Sequence, residues 1–410
     1  MMESRSSEYL GESGIVGTDD KMPSDRRFAS LDGLRAIAIL LIIIHNAGSV
    51  NGGADGIALK LWAVLSNAGW VGVQLFFALS GFLITRILLD AKGEPGWLRS
   101  FYARRVLRIM PLYYAFLFFV FVIAPHIDAL RPLSTGGTLN DGWFWAYLAN
   151  WVTPFGHQAA GLPHLWSLAV EEQFYLLWPL IIAIASERVV VRVAALTVIA
   201  ALATRAAVHA IYPESIATLA AYSWTIARAD AIVLGGLVAV GVRHPRILAF
   251  MRAHLWSAFV AVSLAVLVTL AVQRGLSSEG LVGDFVNKPL SGIMSALLVL
   301  ACVSGSLPGL ARNAVEGKLV RGLSRPTLTT IGKYSYGIYV MHMPVHVLLR
   351  GSFHDLLANG SGSSRFNAHV GYSALVFTIS TLLAFVSWHL LEQRFLSLKR
   401  YFPMPVRRFA

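Results

Sequence analysis

Ionisable residues sit in an apolar stretch that should exclude them. LDGLRAIAILLIIIHNAG, residues 31–48, carries Arg35 and, ten residues on, His45. On a helix ten residues rise about 15 Å, and ten steps of 100° leave the two side chains about 80° apart. They mark two levels of one cavity rather than one contact. Other apolar stretches hold similar groups. HLWSLAVEEQFYLLWP (164–179) holds Glu171 and Glu172, ARADA (227–231) holds Arg228 and Asp230, and IGKYSYGIYVMHMP (331–344) holds Lys333 and His342. FYARRVLRIMP (101–111) gathers Arg104, Arg105 and Arg108. A neutral imidazole can take a proton from an alcohol while a carboxylate holds its tautomer, which is general base chemistry. A guanidinium is a planar fork that grips phosphate oxygens in pairs. The pattern predicts a phosphate-rich ligand held at one end of a bundle and a base above it. Coenzyme A fits that description: a phosphorylated nucleotide head and a long thin arm ending in the thioester.

The elements that must position these groups are membrane helices. Of the 410 residues, 56% are apolar and 14% charged, against about 25% charged in a soluble domain. Ten apolar stretches approach the 20 or so residues a span needs. They run roughly 31–50, 70–90, 106–125, 166–186, 189–210, 221–242, 255–273, 289–308, 331–350 and 369–392. The expected fold is therefore all-α, a polytopic membrane protein of about ten transmembrane helices. With the N-terminus inside, about 26 of the 34 Lys and Arg fall on the inner side. The positive-inside rule thus favours N-in/C-in and explains the net charge of +12 without a nucleic-acid partner. Residues 1–28 read as a disordered cytoplasmic tail, 29–395 as the transmembrane domain and 396–410 as a basic cytoplasmic tail. Segment 128–165 is the longest outward loop, and its WFWAYLANW (143–151) suits an interfacial or re-entrant helix. Segment 351–368 reads as a Gly/Ser-rich outer loop.

In this orientation His45, Glu171, Glu172, Arg205, Asp230 and His342 come to nearly one depth. Arg35, Arg86, Arg104, Arg105, Arg108 and Lys333 form a layer at the inner face. Ionisable residues inside a membrane usually face a water-filled cavity or one another and mark function. Snorkelling is the competing account of the inner arginines.

Six segments, LDGLRAIAILLIIIH, FFALSGFLITRILL, FYARRVLRIMPLYY, HLWSLAVEEQFYLLWP, RADAIVLGG and YSYGIYVMHMPV, resemble the membrane acyltransferase-3 family in type and order. That family comprises bacterial O-acyltransferases of surface polysaccharides, lipid-linked sugars, Nod factors and macrolides. The resemblance implies an O-acyltransferase of the bacterial cytoplasmic membrane. It would move an acyl group, most often acetyl, from acyl-CoA to a sugar-containing acceptor at the cell surface, with acyl-CoA as donor substrate and no permanently bound cofactor. The family's basic residue and histidine of the first span match Arg35 and His45. Its Arg-x-x-Arg motif matches Arg105 and Arg108, and its acidic pair matches Glu171 and Glu172. Where many members read Glu-Lys-Pro-Phe near the end, this chain reads Glu392-Gln393-Arg394-Phe395, so nothing catalytic is rested on Glu392. Many members also carry a fused SGNH domain. The chain shows none, which implies either direct transfer or a separate periplasmic or extracellular transferase.

His45 is the expected general base, or an acyl-carrying nucleophile within the same class. Glu171 and Glu172 point about 100° apart on a helix, so one of them faces a shared cavity; Glu172 is the marginal choice. Arg35, Arg105 and Arg108 are the expected donor-phosphate ligands. Asp230, His342 and Trp166 are candidates for the acceptor, although Asp230 could instead bridge to Arg228 or Arg205 and His342 could be a satisfied core histidine. His342 and His346 have metal-ligand spacing, but Pro344 lies between them and no third ligand follows, so no metal is expected. Ser80-Gly81-Phe82 supplies small residues for close helix packing or for a narrow passage. Cys302 lies in an apolar run and reads as a small core residue. No nucleophile elbow, Walker loop or dinucleotide fingerprint is present. The rival class is a transporter or flippase of a glycolipid or anionic solute, and no internal repeat supports it.

Overall fold

The structure, a computed structural model, describes residues 28–50, 55–134, 142–157, 160–273, 276–307, 314–359 and 362–405. The described residues form helices and no strand. In chain order they are α1 (Ala29–Ala47), α2 (Ile57–Ala68), α3 (Val71–Ala91), α4 (Trp97–Phe118), α5 (Gly142–Trp145), α6 (Ala149–Val152), α7 (Leu165–Ile184), α8 (Glu187–Ile211) and α9 (Glu214–Ser223). The second half holds α10 (Thr225–Gly241), α11 (Pro245–Gln273), α12 (Gly280–Val282), α13 (Lys288–Ser304), α14 (Ala314–Leu323), α15 (Pro326–Ala358), α16 (Gly362–Ser387) and α17 (Gln393–Ser397).

Nine helical runs among the described residues are long and apolar enough to cross a bilayer. The expected span at 331–350 lies inside α15, which has 33 residues. At 1.5 Å per residue it is longer than a hydrocarbon core of about 30 Å. α15 is not among the nine, because it carries Lys333, His342, His346 and Arg350. It is nonetheless buried between the others over Gly332–Val345 and supplies much of the site wall.

One expectation needs correction. Segment 351–368 is not a long loop: α15 stays helical to Ala358, and α16 starts at Gly362. The expected tail 1–28 falls outside the described residues except Phe28, which is 5% exposed and packs edge-on against Phe82. The expected tail 396–410 is docked as far as it is described, for the Phe402 carbonyl accepts from Arg104 Nη1 at 3.3 Å. Within segment 128–165, the aromatic stretch forms the two short helices α5 and α6, with Tyr113 and Tyr114 donating to the Phe144 and Trp145 carbonyls.

Small residues set the spacing of the central helices. A Cβ added at Gly81 would lie 1.7 Å from the Ile232 carbonyl oxygen, and one at Gly235 would lie 1.9 Å from that of Ala78. α3 and α10 are thus in backbone contact, the geometry small residues permit in membranes, where burial against lipid gives no driving force. The same device joins α15 to α1, since a Cβ at Gly332 would meet the Asp32 carbonyl at 1.9 Å. That contact brings Lys333 beside the Arg35 end of α1.

A second anchor is ionic. Arg205 on α8 is fully buried and reaches Asp230 on α10 at 2.6 Å. It also donates to the Ala227 and Asp284 carbonyls. Asp284 pairs in turn with Lys288 and lies 2.7 Å from His209. Buried charges persist only when paired and hydrogen-bonded, and this network ties α8, α10 and α13 together.

Candidate active site

The polar residues of α1, α4, α7 and α15 line a column of adjoining cavities. The lowest, 280 Å³, is walled by Asp32, Arg35, Arg108, Lys333 and Trp388. The next, 80 Å³, takes Arg35 and Arg108 as shared walls and adds Ser80, Arg105, Glu171 and Tyr339. The third, 160 Å³, shares Val73 and Tyr339 with it and holds His45, His164 and Trp166. A wider groove of 760 Å³ follows, sharing Pro163 and Met343 and carrying His346, Arg350 and His354. The column is thus wide at both ends and narrow in the middle.

Its lower half is cationic because of register. Arg105 and Arg108 are three residues apart on α4 and so share a face. Arg35 follows Asp32 by one turn and pairs with it at 3.4 Å. Four cations (Arg35, Arg105, Arg108 and Lys333) and two acids (Asp32 and Glu171) line the lower two cavities, an excess of two positive charges. Lys333 Nζ stacks 4.8 Å from the Trp388 ring centroid. Arg108 has no hydrogen-bond or ion-pair partner among the described residues, and Arg105 Nε is buried without one. Such cations are placed for an anion. Two other members of the expected inner layer are not on these walls. Arg86 pairs with Asp90 at 3.6 Å, and Arg104 is held by Phe402.

The acidic pair separates as helix geometry requires. Glu171 lies on the wall of the narrow cavity, where its two oxygens accept from Ser80 Oγ at 2.9 Å and from the Tyr175 hydroxyl at 3.1 Å. The Arg105 guanidinium stacks 3.7 Å from the centroid of that tyrosine ring. Glu172 lines none of the four cavities. Of the two acids, the one on a cavity wall is therefore Glu171, not the marginally favoured Glu172.

His45 is held by its backside. Its Nδ1 lies 2.8 Å from the Ser66 carbonyl oxygen. A carbonyl only accepts, so Nδ1 carries the proton and Nε2 carries the lone pair. Nε2 has no protein partner among the described residues. α2 supplies Ser66 because the chain turns at Gly69, where a Cβ would stand 2.8 Å from that of His45.

The three acceptor candidates fare differently. Trp166 lines the His45 chamber. His342 does not: it is fully buried, its Nδ1 donates to the Tyr339 carbonyl at 2.5 Å, and its Nε2 accepts from Asn46 at 3.0 Å. No ring nitrogen is left for a ligand. Asp230 has one oxygen on Arg205 and the other on the Ala231 amide at 2.9 Å, and it lines none of the four cavities. Neither lines the His45 chamber, and the bonds of both suit a structural position.

Tyr339 escaped the reading of the sequence, and Ser80 entered it only as a small residue for packing or a narrow passage. Ser80 and Tyr339 look like packing residues in a span. Their polarity matters only once α7 and α15 lie beside α3. His164 had a visible signal, standing two residues before Trp166 in the same quoted stretch.

With this geometry in view, similarity to known proteins can be weighed. The acyltransferase-3 family model, described as an acyltransferase domain, matches residues 28–394. The YrhL protein of Bacillus subtilis (strain 168), whose name places it with peptidoglycan O-acetyltransferases, is 30% identical over 348 residues, 80% of this chain and 50% of its own length. The peptidoglycan O-acetyltransferase OatA of Listeria monocytogenes is 34% identical over 159 residues, 37% of this chain and 23% of its own. The O-acetyltransferase OatA of Staphylococcus aureus (strain NCTC 8325 / PS 47) is 28% identical over 354 residues, 82% of this chain and 53% of its own. The chain spans about half the length of the first of these relatives. No solved structure matches it. On the family match, which takes in every residue of the cationic mouth and of the His45 chamber, this chain belongs to the acyltransferase-3 family.

Proposed function

We propose that the protein is a multi-pass membrane O-acyltransferase that moves an acyl group, acetyl by likeness to its relatives, from acyl-CoA to a hydroxyl of a cell-surface glycan. The names of the relatives point to peptidoglycan as the first acceptor to try. The observation that carries this reading is the column itself, with three cations at one mouth, a fourth, Arg105, at a narrow waist, and above it an imidazole nitrogen with no partner among the described residues.

Arg35, Arg105, Arg108 and Lys333 would hold the donor's phosphates. With the N-terminus inside, as the Lys and Arg distribution favours, that mouth opens to the cytoplasm, where acyl-CoA is made. The waist, at 80 Å³ the smallest of the four cavities, suits a thin chain better than a sugar ring. It favours transfer of a small group over translocation of a glycan. The pantetheine arm would thread it past Ser80 and Tyr339 into the His45 chamber, and the acceptor would enter from the wide groove opposite.

In that chamber the acceptor oxygen attacks the thioester carbonyl carbon as its proton passes to His45 Nε2. The bond to the carbonyl π-system opens to an oxyanion. Collapse re-forms the carbonyl, breaks the carbon–sulfur bond and expels the coenzyme thiolate, which takes the proton back from the imidazolium. The ester and free coenzyme A leave, and His45 returns to its starting tautomer. The Ser66 carbonyl holds the ring through the cycle, because its hydrogen bond to Nδ1–H strengthens when the ring is charged. Glu171 is a counter-charge beside Arg105 at the waist.

The experiment is mass spectrometry of surface glycan from cells with and without the gene, together with purified protein given acetyl-CoA. Gain of one acetyl per acceptor unit, with release of free thiol, supports the reading. A purified, folded protein that releases thiol from no acyl-CoA defeats it.

A further inference from the structure

The chamber at His45 contains a second imidazole that the mechanism does not use. Resting on the reading that a sugar hydroxyl meets the donor at His45, we infer that His164 holds the acceptor sugar by accepting a hydrogen bond from a donor group next to the reacting hydroxyl.

His164 stands in the segment before α7, is 5% exposed and lines the chamber. Its Nε2 lies 3.2 Å from the Val340 carbonyl oxygen. That partner only accepts, so Nε2 carries the proton and Nδ1 the lone pair. Nδ1 is buried and has no hydrogen-bond partner among the described residues. Burial pushes this imidazole well below its ordinary range and the neighbouring His342 adds to the effect, against the hydrogen bond to Val340. The ring is therefore neutral and Nδ1 remains an acceptor.

The other ring nitrogens nearby are occupied. His342 uses both of its own, and His45 uses Nδ1. Among the imidazole nitrogens two lone pairs remain, His45 Nε2 and His164 Nδ1, on residues lining one chamber of 160 Å³, together with the Asn46 side-chain oxygen, the Tyr222 hydroxyl and the Trp166 indole N–H. Two acceptors cannot satisfy each other. They call for one ligand with two donors at neighbouring positions. The thioester end of the donor has none. A pyranose has them on adjacent carbons, as hydroxyls or as a hydroxyl beside an acylamino N–H. The rest of the wall suits the same ligand, for the rings of Trp70, Trp166, Tyr222 and Tyr339 offer apolar faces to a sugar's C–H surface. His164 itself is fixed from behind. Tyr339 donates its hydroxyl proton to the His164 carbonyl at 2.8 Å and accepts from Ser167 at 2.5 Å. The two histidines thus divide the work. One takes the proton of the reacting hydroxyl, and the other receives a hydrogen bond that never transfers.

The test separates the two nitrogens of His164 in the full-length protein in detergent. The donor is acetyl-CoA and the acceptor is peptidoglycan strands freed of esters by mild base. His164→Gln keeps a donor for Val340 and removes the acceptor at the Nδ1 position. His164→Asn keeps an acceptor there and removes the donor to Val340. His164→Gln is expected to raise the acceptor KM about tenfold or more, with kcat within about threefold and the acetyl-CoA KM unchanged. His164→Asn is expected to hold the acceptor KM within about threefold of wild type even if its Tm falls. A His164→Gln protein with unchanged acceptor KM, or one whose acetyl-CoA KM rises in step, overturns the inference, since a packing role would move both substrates alike. If wild-type protein acetylates no strand at all, the function reading fails first and this inference goes with it.

Discussion

His45 and Ser66 are joined by a 2.8 Å hydrogen bond that runs from the ring of one to the backbone of the other. Because the partner is a main-chain carbonyl, substitution at position 66 leaves the acceptor in place. The tautomer is therefore written into the path of α2 against α1 rather than into a second side chain. The informative change is at His45 itself. His45→Asn keeps a donor at the Nδ1 position and deletes Nε2. Loss of a general base lowers turnover about 10²- to 10⁴-fold. The expected outcome is that loss in acetyl transfer, at wild-type Tm and with acetyl-CoA binding intact. Turnover at about a tenth of wild type would remove His45 from the proton path.

The two adjacent acids should separate in function as they do in space. Glu171 accepts from Ser80 and Tyr175 on the wall of the waist, whereas Glu172 lies off the column. Glu171→Gln leaves Arg105 without its counter-charge there, and it should reduce kcat/KM for acetyl-CoA by at least about tenfold, the scale of a lost charged hydrogen bond. Glu172→Gln should leave that constant within about threefold. Steady-state kinetics with varied acetyl-CoA checks both, and the reverse order of damage would move the functional acid to Glu172.

The cationic mouth makes a prediction about binding alone. A ligand present at about 100 times its Kd stabilises a protein by about 2.7 kcal/mol. Coenzyme A should therefore raise the Tm of the purified protein measurably. Arg105→Ala with Arg108→Ala should abolish that rise while lowering the ligand-free Tm only modestly, since among the described residues neither guanidinium makes a salt bridge and Arg105 loses its stacking on Tyr175 and its place beside Glu171. Scanning fluorimetry decides it. A ligand-free Tm that collapses would mark the two arginines as structural.

The sequence made the fold legible because the signals are long and local. A run of some twenty apolar residues is a span whatever it packs against, and α1, α3, α7 and α8 lie where hydropathy places them. α15 was harder, because Lys333, His342 and His346 dilute the apolar run in the very helix that lines the site. Arg35, His45, Arg105, Arg108 and Glu171 were legible as intramembrane charges, which are expensive enough to stand out. What the sequence could not say was which charges would find each other. Asp230 and His342 look as functional as His45 in one dimension. Only the approach of α8 gives Asp230 its arginine, and only the contact between α1 and α15 gives His342 its Asn46. The hydrogen bonds of Ser80 and Tyr339 were invisible for the opposite reason, since a hydroxyl costs too little in an apolar run to attract notice.

Asp230 supplies the sharpest test of that distinction. Its partner Arg205 is fully buried, the pair is 2.6 Å apart, and neither residue lines any of the four cavities of the column. Removing one member of a buried pair leaves an uncompensated charge and costs about 3–5 kcal/mol. Asp230→Asn should therefore lower Tm strongly and reduce membrane yield, because Arg205 keeps only the Ala227 and Asp284 carbonyls as partners. In whatever protein folds, the acceptor KM should match wild type. Were Asp230 an acceptor ligand, the pattern would invert, with Tm preserved and the acceptor KM raised. Paired measurement of Tm and acceptor KM on one preparation separates the two, and His342→Phe, which removes a ring hydrogen-bonded on both nitrogens, should follow Asp230 rather than His45.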